Sequence, residues 1–259
     1  MEVNAGPARP APMQDTVHVQ ALAVVADMFG SPVTLWPTLI WDDAGATLVD
    51  TGYPGQFAKL RAAVEAAGVP FGRVRRVIVT HQDWDHIGGL ADVLRAGGGE
   101  TDVYAHGLER PYIDGSLPDF KLTPERIAAR ISALPPEMRV RATEAFAARP
   151  AVPVRRLLED GEVLPFHGGL EVIHVPGHTP GHICLYLRAH RLLIAGDQLR
   201  VLDGQLLGPN PEFTPDMAAA LASLKKLTAY DIAAVICYHG GLYGGDAAAR
   251  IAALANTGR

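Results

Sequence analysis

The chain has 259 residues, with 48% hydrophobic and 20% charged residues and a formal net charge of −5. That length and composition suit a globular protein with a sizeable core, and the mildly acidic balance offers no attraction for nucleic acid or an anionic membrane. MEVNAGPARPAPMQ lacks the apolar stretch of a signal peptide, so a cytoplasmic protein without membrane partners is expected.

Residues 1–15, rich in Pro and Ala, read as a flexible tail, and 16–259 as one domain. Residues 17–25 and 32–42 read as strands, with Pro37 tolerated only at an edge or bulge. A short strand over 46–52 precedes a helix over 55–67 that ends at Gly68. Strand 73–80 runs into THQDWDHIGG, and a helix follows from Gly88 to Ala96. After strand 102–106, strand signals vanish over 107–150, where 123–134 and 136–148 read as helices of an insertion. Strands return at 154–158, 162–166, 170–175, 183–188 and 191–197. A helix from Pro215 to Leu227 with Thr214 as its N-cap, a strand over 231–239 and a helix over 244–255 complete the chain. Two groups of strands, each with helices to cover a face, predict two packed sheets with helices outside. Cys184 and Cys237 lie in apolar runs and read as buried thiols rather than a disulfide.

Five of the ten histidines stand where a strand stops, beside glycines: His81, His86, His178, His182 and His239. Asp197 does the same in IAGDQ. Strand ends are where a rigid scaffold presents chemistry. His18, His106, His167, His174 and His190 lack that context and read as structural. In HQDWDH an extended segment would turn His81 and Asp83 to one side and leave Asp85 and His86 for a second position. Imidazole and carboxylate are the ligands that zinc, iron and manganese accept.

LVDTG, THQDWDHIGG, VPGHTPGH, IAGDQ and CYHGG, in this order and spacing, resemble the metallo-β-lactamase superfamily over residues 17–250. The resemblance implies a mixed α/β fold, a four-layer αββα sandwich with metals at one edge of the paired sheets. It implies a first metal held by His81, Asp83 and His178, a second by Asp85, His86 and His239, and Asp197 bridging the two. Asp50 resembles the family's carboxylate behind the ligands, and His182 lies just behind His178. The implied activity is hydrolysis of an ester, lactone or related carbonyl compound by a metal-bound hydroxide, with Asp85 orienting the nucleophile or taking its proton. β-Lactam and thioester hydrolysis, and a non-catalytic metal-binding or ligand-sensing role, are the alternatives.

The family motif commonly has His where this chain has Asp83. A carboxylate there makes the site less positive, so zinc is the first expectation for the two divalent ions, with iron or manganese favoured more than in the all-imidazole version. A weak first position holding no ion is the other outcome of the same substitution. Chain length and the insertion resemble the lactonase-like branch. Arg200 stands where acyl-homoserine lactone lactonases carry a tyrosine, and reads either as a surface residue or as a cation that pairs with a substrate carboxylate or oxyanion. The expected partner is a small-molecule substrate. The insertion is expected to shape its access, or else to form a homodimer contact.

Overall fold

The computed structural model describes residues 16–29 and 31–257, so the expected tail over 1–15 lies outside the described residues. The chain opens with β1 (His18–Ala21), β2 (Val24–Met28), β3 (Ser31–Leu35), β4 (Thr38–Asp42) and β5 (Gly45–Val49). The two long strands expected here are each broken. Pro37 has no N–H for a ladder, and both segments part beside it, with Leu22 N–H donating to Pro37 O at 2.8 Å. β1 then pairs with β4, while β2 and β3 form a ribbon of their own.

Helix α1 (Phe57–Ala66) and β6 (Val74–Ile78) follow. The expected helix after the HQDWDH run starts earlier and in two pieces, α2 (Trp84–Ile87) and α3 (Leu90–Ala96), split by Gly88 and Gly89. A Cβ on Gly88 would lie 2.2 Å from Pro54, so only glycine lets the β5 loop pass this close. β7 (Asp102–His106) leads into α4 (Arg110–Ile113), α5 (Pro124–Ala133) and α6 (Pro136–Ala147), with no strand among them. β8 (Arg156–Leu158), β9 (Val163–Leu164), β10 (Leu170–His174), β11 (Ile183–Leu187) and β12 (Leu192–Ile194) come next. The hairpin of β13 (Arg200–Leu202) and β14 (Gln205–Leu207) was not legible in the sequence, nor was β16 (Gly241–Tyr243), which follows α7 (Met217–Leu227) and β15 (Ala234–Cys237). α8 (Ala247–Thr257) is the last helix. α7 is capped by Asp216, whose Oδ1 accepts from Ala219 N–H at 2.9 Å; Thr214, expected in that role, instead faces His178.

The main strands form two six-stranded sheets, ordered β1-β4-β5-β6-β7-β8 and β16-β15-β12-β11-β10-β9. Period-two alternation divides their side chains among three cores. Ile40, Val49, Ile78, Val172, Leu185, Ile194 and Ile236 meet between the sheets. Their neighbours Leu39, Leu48 and Val77 pack outward with Leu60, Val64, Leu90 and Val93 of α1 and α3. On the other side Ile173, Cys184, Leu193 and Val235 pack with Leu224, Leu227 and Ile251 of α7 and α8. Three apolar interfaces between four layers make the αββα sandwich. Both thiols are free and buried in it. Among the described residues no helix is long and apolar enough to cross a membrane.

Candidate metal centre

The ends of β5, β6, β10, β12 and β15 come together at one edge of the paired sheets, and each releases a loop there. Those loops carry Asp50, His81, Asp83, His178, Asp197 and His239, and α2, directly after the β6 loop, carries Asp85 and His86. The seven residues expected as ligands converge in three overlapping groups: His81, Asp83 and His178; His81, His86 and Asp197; Asp85, His86 and His239. Asp197 faces both ends of the cluster. Its Oδ1 lies 3.3 Å from His86 Nε2 and 3.4 Å from His239 Nε2, and its Oδ2 lies 3.3 Å from His178 Nε2. Asp85 Oδ2 is 3.3 Å from His239 Nε2.

Partners behind these groups fix their direction. His86 Nδ1 is 2.8 Å from Asp50 Oδ2, and Asp50 Oδ1 accepts the Thr80 N–H at 2.8 Å. A carboxylate at Nδ1 takes the ring proton and leaves the Nε2 lone pair pointing at Asp197. His182 Nε2 accepts the backbone N–H of Asp197 at 3.0 Å, so His182 holds the bridging residue rather than joining the cluster. The approach requires Gly196, with φ of 51°, because a Cβ there would meet His182 Nε2 at 2.6 Å.

Two residues that the sequence did not single out complete the frame. Tyr238 donates its hydroxyl to Asp85 O at 2.6 Å and accepts the Gly52 N–H at 3.1 Å. Glu109 is fully buried and accepts from Gln82 N–H at 2.8 Å and Gly181 N–H at 2.6 Å, tying the His81 loop to the His178 loop. Burial pushes its carboxyl up to about 7. Glu109 follows strand β7 by three residues, the same strand-end signal that marked the histidines. A third such residue, Lys121, carried no signal: its Nζ lies 2.6 Å from Asp83 Oδ2 and 2.7 Å from His178 Nε2.

The electrostatics suit a cation. Burial opposes charge on Asp197, but His239, His86 and His178 outweigh it and hold the carboxyl well below its usual range. Burial also opposes protonation of His86, yet Asp50, Asp197 and Asp85 drive its imidazole well above the ordinary value. Burial drives His81 the other way, down to about 4. His86 Nε2 and Asp197 Oδ1 are buried, have no hydrogen-bond partner and face each other. Two acceptors aimed at one another 3.3 Å apart are stable only with a proton or a metal ion between them. The donor set of imidazole and carboxylate fits a divalent transition metal.

Above the cluster opens a cavity of about 890 Å³. Asp83, Asp85, Asp197 and His239 form its floor, with Tyr53, Trp84 and Phe213 at its sides. The segment between β7 and β8 supplies Phe120, Lys121, Leu122, Arg126 and Arg130. Its α6 docks on the ligand loop through Phe146, stacked 4.5 Å from Trp84. Arg200, read as either a surface residue or a substrate contact, lies outside this cavity. It borders a smaller cavity of about 190 Å³ with Met217, Leu221 and Leu224, while its neighbour Val201 donates its N–H to His239 O at 2.9 Å. Away from the cluster, His18 stacks on Trp41, His106 on His174, and His167 bonds to Asp42.

The chain is similar to several known proteins. It is 31% identical over 211 residues to the probable metallo-hydrolase YflN of Bacillus subtilis (strain 168), covering 74% of each chain. It is 28% identical over 173 residues to the hydroxyacylglutathione hydrolase GloC of Haemophilus influenzae, covering 65% of this chain and 69% of that one. Among solved structures, a metallo-beta-lactamase family protein from Thermus thermophilus superposes with a TM-score of 0.66 at 25% identity, covering 92% of this chain and 78% of that one. The family model described as metallo-beta-lactamase superfamily matches residues 34–239, which contain every residue of the cluster. The chain belongs to the metallo-beta-lactamase superfamily.

Proposed function

We propose that this protein is a metal-dependent hydrolase of a small ester, thioester or lactone. The observation that carries the reading is the buried pair His86 Nε2 and Asp197 Oδ1, 3.3 Å apart and without a hydrogen-bond partner, with Asp197 on the floor of an 890 Å³ cavity. Asp85, His86, Asp197 and His239 would hold a divalent ion there. Zinc is the first choice, with iron or manganese as the alternatives. Such an ion supplies Lewis acidity and activates water at neutral pH.

The chain's own groups do the rest. Asp50 fixes the His86 tautomer and Tyr238 fixes the backbone of Asp85. The Asp85 carboxylate, at the cavity floor, is placed to orient the attacking water and take its proton. Phe120, Leu122, Trp84 and Phe213 give the cavity an apolar wall for an acyl group, and Arg126 and Arg130 give it a cationic rim for an acidic substituent. The likeness to a hydroxyacylglutathione hydrolase supports placing a thioester beside the oxygen ester and lactone. With Arg200 outside this cavity, nothing on that residue argues for or against a lactone.

The test is chelator-stripped protein assayed against oxygen esters, thioesters and lactones after adding Zn²⁺, Fe²⁺ or Mn²⁺. Turnover restored by one of these ions is expected, together with a KM for acidic substrates that rises roughly 3–10-fold in Arg130→Ala. No turnover of any substrate with any ion would sink the enzymatic reading and leave a metal-binding sensor.

A further inference from the structure

We infer that the Lys121 ammonium is a built-in cation that takes the place of the first metal ion, so that the chain binds one divalent ion rather than two. The inference rests on the hydrolase reading only in seating that single ion among Asp85, His86, Asp197 and His239.

The geometry begins with who uses the lone pairs. At the first position the ligand atoms are His81 Nε2, Asp83 Oδ2 and His178 Nε2. Lys121 Nζ donates to two of them, Asp83 Oδ2 at 2.6 Å and His178 Nε2 at 2.7 Å. Both distances are ordinary for charge-assisted bonds. Those two atoms are themselves 3.0 Å apart, so the ammonium caps the pair on the side where an ion would have to sit. At the second position no lysine or arginine among the described residues does this, and His86 Nε2 and Asp197 Oδ1 stay without a hydrogen-bond partner, whereas at the first only His81 Nε2 does. The asymmetry is chemical. One end of the cluster has its cation covalently supplied, and the other lacks one.

Lys121 is held there rather than swept in from the surface. Its side chain is 12% exposed. Asp119 Oδ1 accepts the backbone N–H groups of Lys121 and Leu122, both at 2.7 Å. Asp119 Oδ2 is paired with Arg149. Arg149 in turn donates to Gln82 Oε1 at 2.7 Å and to Gln82 O at 3.2 Å, in the loop between His81 and Asp83. The lysine loop and the ligand loop are thus pinned to each other by one guanidinium, with five donors in a fixed fork.

This arrangement accounts for Asp83. A histidine at position 83 would offer a lone pair to a metal but no charge to an ammonium. A carboxylate gives Lys121 its counterion. One divalent ion plus Lys121 brings three positive charges, which Asp83, Asp85 and Asp197 balance. A second ion added to the same groups would leave an excess of positive charge in a largely enclosed site, which is unfavourable. Two of the three ammonium donors are used within the protein, and Lys121 borders the cavity, so the third is available to a substrate carbonyl or carboxylate oxygen.

The experiment is metal stoichiometry, read by isothermal titration of chelator-stripped protein with Zn²⁺ and Co²⁺ and by elemental analysis after desalting. Wild type is expected to saturate at about one ion per chain, and Lys121→Met and Lys121→Ala at about two, with the added Co²⁺ giving a second visible absorption band. Wild type that takes up two ions overturns the inference whatever the variants do. Folded variants, checked by circular dichroism, that still bind only one ion overturn it too, because Lys121 is then not what excludes the second. Should both variants fail to fold, the wild-type stoichiometry is joined by the Co²⁺ spectrum of His178→Ala. An unchanged spectrum supports a single ion seated at the second position, and an altered one overturns it. Wild type that binds two ions and hydrolyses esters defeats this inference alone, whereas wild type that binds none defeats both the inference and the hydrolase reading.

Discussion

Asp50 Oδ2 stands 2.8 Å from Nδ1 of His86, and the backbone that carries Asp50 is left-handed, with φ of 63°. Few side chains tolerate that conformation, and asparagine is one of them. Asp50→Asn therefore keeps the turn while removing the charge that fixes the His86 proton. Metal affinity is expected to fall about 10–100-fold, read by chelator competition. The melting temperature of the metal-free protein should change little by comparison. An unchanged affinity would mean that His86 is oriented without Asp50.

A pH dependence follows from the imidazoles around Asp197. Burial opposes protonation of His239, but Asp197 and Asp85 outweigh it and raise its pKa to about 10 in the metal-free protein. His86 is raised as well. At neutral pH the His239 ring then carries a second proton that an incoming ion must expel, and the same carboxylates pull His86 in that direction. The sign is fixed: affinity rises with pH, by about tenfold per unit for each proton displaced. Titrations with Zn²⁺ in buffers of different ionisation enthalpy should count release of at least one proton. Affinity independent of pH between 6 and 8, a range well below the raised His239 value of about 10, would show that this ring is neutral before the ion arrives.

Much of this centre was legible because the chemistry forces glycine and apolar residues around it. His81, His86, His178 and His239 stood out by ending strands, and Asp197 by following one. The supports were harder to see. Tyr238 looks like the last residue of a buried strand, and its hydroxyl bonds to Asp85, far away in sequence. Lys121 sits in DFKLTPER, a stretch with no periodicity, and only the tertiary clamp of Arg149 on Asp119 and Gln82 brings it to Asp83. The strand breaks at Pro37 were foreshadowed by the missing N–H. The β13–β14 hairpin was not, and Arg200, weighed as a substrate contact from its place in the family resemblance, is the first residue of that hairpin. Short strands of three residues leave too little alternation to read.

Away from the metal centre, His167 is buried with Nδ1 2.7 Å from Asp42 Oδ2 and Nε2 2.8 Å from Thr47 Oγ1. Burial lowers the His167 pKa against the pull of Asp42. Burial opposes charge on Asp42, but His167 and the N–H groups of Ala44 and Gly45 outweigh it and lower that carboxyl. The folded state thus holds fewer protons here than the unfolded chain. For both groups the stabilisation is present at higher pH and is lost on acidification. His167 loses it below its unfolded value of about 6.5, and Asp42 below about 4. Asp42→Asn should cost about 2 kcal/mol at pH 7.5, a hydrogen bond to a charged group. That difference from wild type should persist down to about pH 4 and shrink below it, as Asp42 takes up its proton. Urea midpoints measured across this range check it, and a constant difference would mean that the pair does not titrate on unfolding.

The Asp83–Lys121 pair makes a last prediction, on metal-free protein. With side chains 16% and 12% exposed, the two groups are largely withdrawn from water. Removing one partner strands the other's charge among His81 and His178, whereas removing both leaves a neutral site. Asp83→Asn and Lys121→Met should each destabilise by about 1–3 kcal/mol, a figure reduced from fully buried pairs for the remaining exposure. The double variant should lose less than the sum, with a coupling of about 1 kcal/mol or more. Asp83→His belongs in the same series. It adds an imidazole beside the ammonium and takes away the counterion, so alone it should lower stability without admitting a second ion. Combined with Lys121→Ala it should admit one, because the first position then has three neutral imidazoles and no resident cation. Additive losses in the first cycle, or a second ion bound by Asp83→His with Lys121 intact, would show that the lysine leaves the position freely and that Asp83 is kept for the metal instead.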